Sequence, residues 1–492
     1  MSVRQWFAAG VSVVVVILTS TVTVAAETQI ADAAEQNDFA KVRELLSQRA
    51  DVNSKQPDGM TALHWAVQHD VPEIVQLLLA AGADSGIANR YGVTPLSLAC
   101  MLGSASMVDQ LLAAGADPNS ALPGGETPLM TASRTGLTGP VKSLLEKHVD
   151  VNAREHKGQT ALMWAAAEGH VEVVNLLLDA GADFHTSLPS GFTPLFFAVR
   201  EGRTSVVLRL IEAGASVNDT MQPELKDSKV RTRASNPLLL AIENGHFELA
   251  VELLRAGADP NARPAGFTAL HAISWVRKPI RGDGDPPPYG SGNVDSLEIV
   301  RQLSAHGADI NARLENGTSG RGRFTTTGST PFLMAARTGD VTLMRLLLEL
   351  GADPRLANAD NCPPLPAAAG VGALSDGDEA AGTDEEAIEA TSLLLEIGAD
   401  INVVDATGET AMHGAAYQSR PKLVQYLADH GHDINMWNVS NKWGWTPLMI
   451  AQGHRPANFR PAPETIVAIE QVMRAHGVEP PKAAPAKNKP SY

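Results

Sequence analysis

The chain has 492 residues, a formal charge of −16, 44% hydrophobic and 19% charged residues, and only two cysteines, Cys100 and Cys362. This is the composition of a folded chain, and an aromatic share of 5% beside abundant Ala and Leu favours helices packed through small side chains. Two cysteines exclude a disulfide framework. The acidic balance argues against nucleic acid as the partner, because such binding rests on phosphate neutralisation by Lys and Arg.

Residues 1–26 differ from the rest. Arg4 is their only charge, Phe7 to Val24 is apolar or hydroxylated, and Val24-Ala25-Ala26 offers small residues ahead of Glu27. This layout predicts a secretory signal peptide. An uncleaved membrane anchor is the alternative, since the run approaches the ~18 residues that span a bilayer. Either reading exports the bulk of the chain to a periplasmic or extracellular setting.

From residue 61 the chain repeats itself. TALHWAVQHDVPEIVQLLLAAGAD begins at Thr61, and related stretches begin at Thr94, Thr127, Thr160 and Thr193, each 33 residues after the last. Further copies, with insertions, begin at Asn236, Thr268, Thr330, Pro363, Thr410 and Thr446. Residues 31–53 carry the pattern without its TPL opening, which brings the total to twelve units. A fixed period of this size signals a stacked array. In the unit from Thr61, Leu63 and Ala66 line one face of a short first helix. Ile74, Val75, Leu77, Leu78 and Leu79 form a broader face on a second, and Gly82 supplies the left-handed stop. One unit buries its apolar face only against neighbours.

TALH or TPL, a central GH, LLL and GAD·N at this period resemble ankyrin repeats, over residues 31 to about 478. The resemblance implies an all-α repeat solenoid of stacked helix-turn-helix units joined by short β-hairpin loops. It also implies protein binding along a concave face lined by the first helices and hairpin tips. The array is assigned to 27–478, and the Pro-, Ala- and Lys-rich stretch 479–492 reads as a loose tail. Two helix stops depart from glycine, Arg49 and His148, and an altered turn is expected at both.

No constellation for catalysis appears. G-x-S-x-G, phosphate-binding glycine loops and H-E-x-x-H are all absent, so neither a cofactor nor a metal is assigned. Of fourteen histidines, His64, His271 and His413 hold the fourth place of T-x-L-H, where the resemblance implies a local bond to the Thr. His170 and His246 sit in GH, and His306, His430 and His476 precede the helix-stop Gly. Cys100 falls on a core face; Cys362 falls in a turn, where exposure is expected. The acidic run Asp376–Glu386 lacks calcium-loop spacing and reads as a solvated loop.

What remains is surface. Insertions at 219–235 and 314–329 extend hairpin tips and carry Lys226, Lys229, Arg231 and Arg233, and Arg321 and Arg323. These basic fingers on an acidic chain are candidate contacts for a protein partner with an acidic patch; ordinary solvated loops are the alternative. Insertions at 277–293, 372–386 and 454–463 split units between their helices. Trp275 falls at the open end of a first helix. The place before each TPL holds Met60, Val93, Phe192, Phe267 and Trp445, and WNVSNKWGW adds Trp437 and Trp443. Groove contacts and packing between hairpins are both open for these residues. The function expected is a non-enzymatic scaffold, monomeric, with a regulator or immunity-type inhibitor of an exported enzyme as the alternative.

Overall fold

A computed structural model describes residues 28–221, 234–278, 293–317, 324–372, 382–454 and 460–481. These fall into two compact units that divide at Ser216 and Val217. Among the described residues all regular structure is helical, apart from a single bridge between Met221 and Ser235. The loops between repeats are therefore tight turns and not β-ladders. Each unit contains six helix pairs.

The first unit runs from Gln29–Glu35 with Phe39–Ser47 to Pro194–Arg200 with Thr204–Glu212. Its repeat chemistry is local. Thr94 stands extended before Pro95–Leu102, and its hydroxyl accepts from the Ser97 N–H at 3.1 Å. Pro follows at a position whose N–H has no helical partner to lose. At the far end of Pro72–Ala80, Gly82 takes φ +89°, and Ala83 N–H closes the turn on Leu78 O at 2.9 Å. Ile74, Val75 and Leu78 are buried on that second helix, while Leu77 and Leu79 are half-buried. First helices pack on the first helices of neighbouring pairs, and second helices on second helices.

The second unit repeats this plan from Pro237–Glu243 with Phe247–Arg255 to Pro447–Ala451 with Pro463–Ala475, and adds a 3-10 turn at Ile434–Asn438. The acidic stretch that reads as a solvated loop is in part helix: Asp384, Glu385 and Glu386 open the helix Asp384–Glu396, where Thr383 and Glu386 form a capping box. Three acids in a first turn suit the positive end of a helix dipole. Asp376 and Asp378 lie outside the described residues.

The Asn of GAD·N explains itself as a rung between repeats. Asn152 Nδ2 donates to Gly181 O at 3.2 Å, and its Oδ1 accepts from Asp183 N–H at 2.8 Å. Asn53, Asn218, Asn261, Asn311 and Asn402 make the same pair of bonds to the next repeat. Asn119 faces the repeat in which His148 replaces the glycine, and makes neither bond. Arg49 and His148 both take left-handed backbone, at φ +59° and +54°. The Arg49 turn keeps the glycine pattern, with Ala50 N–H on Leu45 O at 3.1 Å. Of the two departures, only His148 follows a repeat that ends in such an Asn; no described helix pair precedes the repeat that carries Arg49.

The histidines link repeats as well. His64 Nδ1 lies 2.9 Å from Thr61 Oγ1, and its Nε2 donates to Val93 O in the next hairpin at 3.0 Å. His271 does the same with Thr268 and Ser329 O. Burial lowers the pKa of both, that of His271 to about 4, so each is a neutral strut. His306, His430 and His476 bond back to the carbonyl four residues earlier through Nδ1.

Candidate partner-binding surface

In four repeats two places meet at one edge of the first helix. One is the residue before the capping Thr; the other is the residue seven after that Thr, at the end of the first helix. In the first unit Glu126 pairs with Arg134 at 3.7 Å, and the Arg200 guanidinium lies 5.2 Å over the Phe192 ring. In the second, Phe267 meets Trp275 edge-on at 4.9 Å, and Tyr417 donates to Glu409 at 2.7 Å. In each of these repeats the residue seven after the capping Thr, in the last turn of the first helix, folds back on the residue before that Thr.

In the first unit these pairs belong to a patch of three successive first helices, Pro128–Thr135, Ala161–Glu168 and Pro194–Arg200, that pack side by side. Arg134 also lies 4.9 Å over the Trp164 ring, and Arg200 lies 5.1 Å over Phe197. Trp164 and Phe197 share one register, four residues after their Thr. The Arg134 and Arg200 side chains remain 41% and 42% exposed, while Trp164 and Phe192 are half-buried. Trp164 Nε1 is buried without a hydrogen-bond partner among the described residues. The patch therefore offers flat apolar rings covered by guanidinium groups whose rotamers stacking has already restricted.

The second unit buries five of the six places in the same column, all but Trp445. Ser235, Phe267, Ser329, Cys362 and Glu409 are each 4% exposed or less. Of the two readings open for Phe267, groove contact and packing, the structure shows packing, with Trp275 against it; Trp275, expected at an open end, is half-buried. Cys362, expected in an exposed turn, is 1% exposed, because residue 324 of the preceding insertion covers it. Among the apolar groups in the column of the first unit, Met60 is buried and Val93 half-buried. Trp443 and Trp445 stack at 5.6 Å, both half-buried, and the Lys442 ammonium lies 4.7 Å over Trp443. Trp437 is fully buried, with Nε1 donating to His432 at 3.0 Å. Lys226, Lys229, Arg231, Arg233, Arg321 and Arg323 lie outside the described residues.

A polar cluster in the second unit escapes a reading confined to apolar groups in this column. Glu409 Oε1 accepts from Tyr417 and, at 2.9 Å, from Asn441, and Asp405 lies nearby. Burial pushes the Glu409 carboxyl up to about 7 and raises Asp405 as well. With Asp360, Thr325, Cys362 and Trp443 they line a water-sized cavity of about 10 Å³. The signal was present in the chain: Glu409 holds the same place before Thr as Phe192 and Trp445. Among the described residues no group of three His, Cys, Asp or Glu is arranged to hold a metal, and no helix is long and apolar enough to cross a membrane.

Stacked helix pairs of one pattern, tied by Asn rungs and His struts, define an all-helical repeat solenoid in each unit. Sequence comparison gives the family. A model of three ankyrin repeats matches residues 30–122, 108–188, 129–221 and 379–458, and a single-repeat model matches 235–264 and 327–359. Together these cover more than half of the chain, which belongs to the ankyrin-repeat family. It is 35% identical over 244 residues to mouse ankyrin repeat and SOCS box protein 16, covering 45% of this chain and 48% of that protein. It is 29% identical over 228 residues to the Arabidopsis thaliana E3 ubiquitin-protein ligase KEG, covering 44% of this chain and 12% of the ligase. A 28% match over 148 residues to alpha-latroinsectotoxin-Lt1a of Latrodectus tredecimguttatus covers 30% of this chain and 9% of the toxin. The chain thus spans about half or less of the length of these relatives. Ankyrin repeats are in general protein–protein interaction modules.

Proposed function

We propose that this protein is a non-enzymatic scaffold that binds a protein partner through the first-helix edge of its first unit. The observation that carries the reading is the stacking of half-exposed Arg134 and Arg200 on Trp164, Phe192 and Phe197. Trp and Arg dominate the energetics of protein interfaces, and a guanidinium already held on a ring loses less freedom on binding. The ion pairs of Arg134 with Glu126, at 3.7 Å, and of Arg200 with Glu201 leave both guanidinium groups about two-fifths exposed, so a carboxylate of the partner competes for them. The partner is therefore an acidic segment that also carries apolar side chains. The basic fingers around Lys226 to Arg233 and around Arg321 and Arg323 suit the same chemistry.

The layout of residues 1–26 supports export, and hence a periplasmic or extracellular partner. The acidic charge supports a protein partner over nucleic acid. Because the match to the ubiquitin ligase spans 12% of that protein, no ligase activity is carried over. A regulator that blocks an exported enzyme is the second reading; a tight one-to-one complex that suppresses an activity separates it from a scaffold.

The test is affinity capture from native envelope or secreted extract, with the chain from residue 27 and with its Arg134→Ala/Arg200→Ala variant. Capture of a defined protein that falls at least tenfold in the variant supports the surface. Equal capture by both moves binding elsewhere.

A further inference from the structure

The insertion 314–329 ends in a segment that does not behave as an appended loop. Leu314 N–H donates to Ser329 O at 2.9 Å and Gly328 N–H to Leu314 O at 2.7 Å, so the ordinary hairpin closes beneath it. Residues 324–326 then lie on the neighbouring repeat. Phe324 is 3% exposed and packs with Leu333, Cys362, Ala367 and Val371. Its N–H donates to Gly372 O at 3.0 Å, and the Arg337 guanidinium lies 4.9 Å over its ring. Thr325 donates its hydroxyl to Asp360, and Asn358 Nδ2 donates to Thr325 O at 2.7 Å.

The repeat beneath has room for this because its own residues are small. Before its helix stands Cys362, where other repeats carry Phe192, Phe267 or Trp445. Four places into the repeat stands Ala367, where others carry Trp65, Trp164 or Phe197. A hollow results, with an apolar floor and a polar rim of Asn358 and Asp360. An aromatic anchor, a backbone donor and acceptor used on either side of it, and one side-chain hydroxyl are what an extended peptide supplies to such a site.

We propose that this hollow is a peptide-docking site for an extended segment carrying an aromatic residue followed by a hydroxyl residue, and that residues 324–326 occupy it as a resident competitor. Covalent attachment gives the resident segment an effective concentration in the millimolar range, so a free peptide of equal intrinsic affinity competes poorly. A partner must either outbind Phe324–Thr325 or meet a chain in which they have been released.

Cys362 reports on the site, since it lies under Phe324; Cys100, fully buried in the first unit, is the internal control. The probe is a fluorescein-labelled, amide-capped peptide Phe-Thr-Thr-Thr-Gly, the sequence of residues 324–328, with a copy in which Phe is Ala. Binding and cysteine alkylation by iodoacetamide are measured on the full chain and on Phe324→Ala. The expected result is at least tenfold tighter binding of the Phe peptide to Phe324→Ala than to the full chain and no binding of the Ala peptide. Cys362 alkylation should also be faster in the variant and slowed again by the Phe peptide. Equal or absent binding with Cys362 opened and Cys100 still closed overturns the proposal. If Phe324→Ala opens Cys100 as well, Thr325→Val, which removes only the link to Asp360, replaces it. Tighter peptide binding than to the unaltered chain then supports the site, and unchanged binding overturns it.

Discussion

Tyr417 donates its hydroxyl to Glu409 Oε1 across 2.7 Å, and both side chains are buried. A carboxylate here is costly, because two hydrogen bonds to one oxygen do not replace the water it has lost. Burial is the main cause of the rise of the Glu409 carboxyl from 4.5 to about 7, and the neighbouring Asp405 adds to it. The folded protein therefore holds this proton more tightly than the unfolded chain does. Its contribution to stability is fully present below about pH 4.5, is lost as pH rises to 7, and is flat above. Glu409→Gln keeps an acceptor oxygen and removes the charge. Urea unfolding should show it stabilising the second unit at pH 8 by roughly 3 kcal/mol more than at pH 4. An equal effect at both pH values would mean that Glu409 titrates normally.

Leu177 is fully buried on the second helix Val171–Asp179, in the fifth of the six helix pairs of the first unit, with neighbours on both sides. Leu177→Ala should cost ~2–5 kcal/mol. In a stacked array the loss is local, so denaturation should separate into more than one step. A single transition with an unchanged midpoint would contradict nearest-neighbour stacking.

His148 stands at φ +54° where neighbouring repeats place glycine, and Asn119 lacks its rung to that turn. His148→Gly should relieve left-handed strain of about 1 kcal/mol and raise the thermal midpoint. The same change at Arg49, whose turn already has the glycine pattern, serves as the comparison. If His148→Gly lowers the midpoint, the imidazole is holding that turn.

Much of this was legible because it is local. Thr and Pro start first helices, Gly stops second ones, and the Thr–His pair and the GAD·N rung recur at fixed offsets. A 33-residue period therefore carries the helix pairs. What could not be read depends on residues far apart in the chain. Cys362 looks like an exposed turn residue until Phe324, from an insertion with no periodicity, is laid over it. Phe267 leaves groove contact and packing equally open until Trp275 folds back on it. Glu409 is invisible to a search for apolar groups, although it stands in the same column. The acids at 384–386 read as loop because a run of charge and a helix first turn share a composition.

The most direct measurement of the binding claim is hydrogen exchange of the full chain, alone and with its captured partner. Protection concentrated in the first helices Pro128–Thr135, Ala161–Glu168 and Pro194–Arg200 is the expected result. Protection confined to the second helices Thr138–Leu145 and Val171–Asp179, or absent from the first unit, would contradict binding through the Arg134, Trp164 and Arg200 surface.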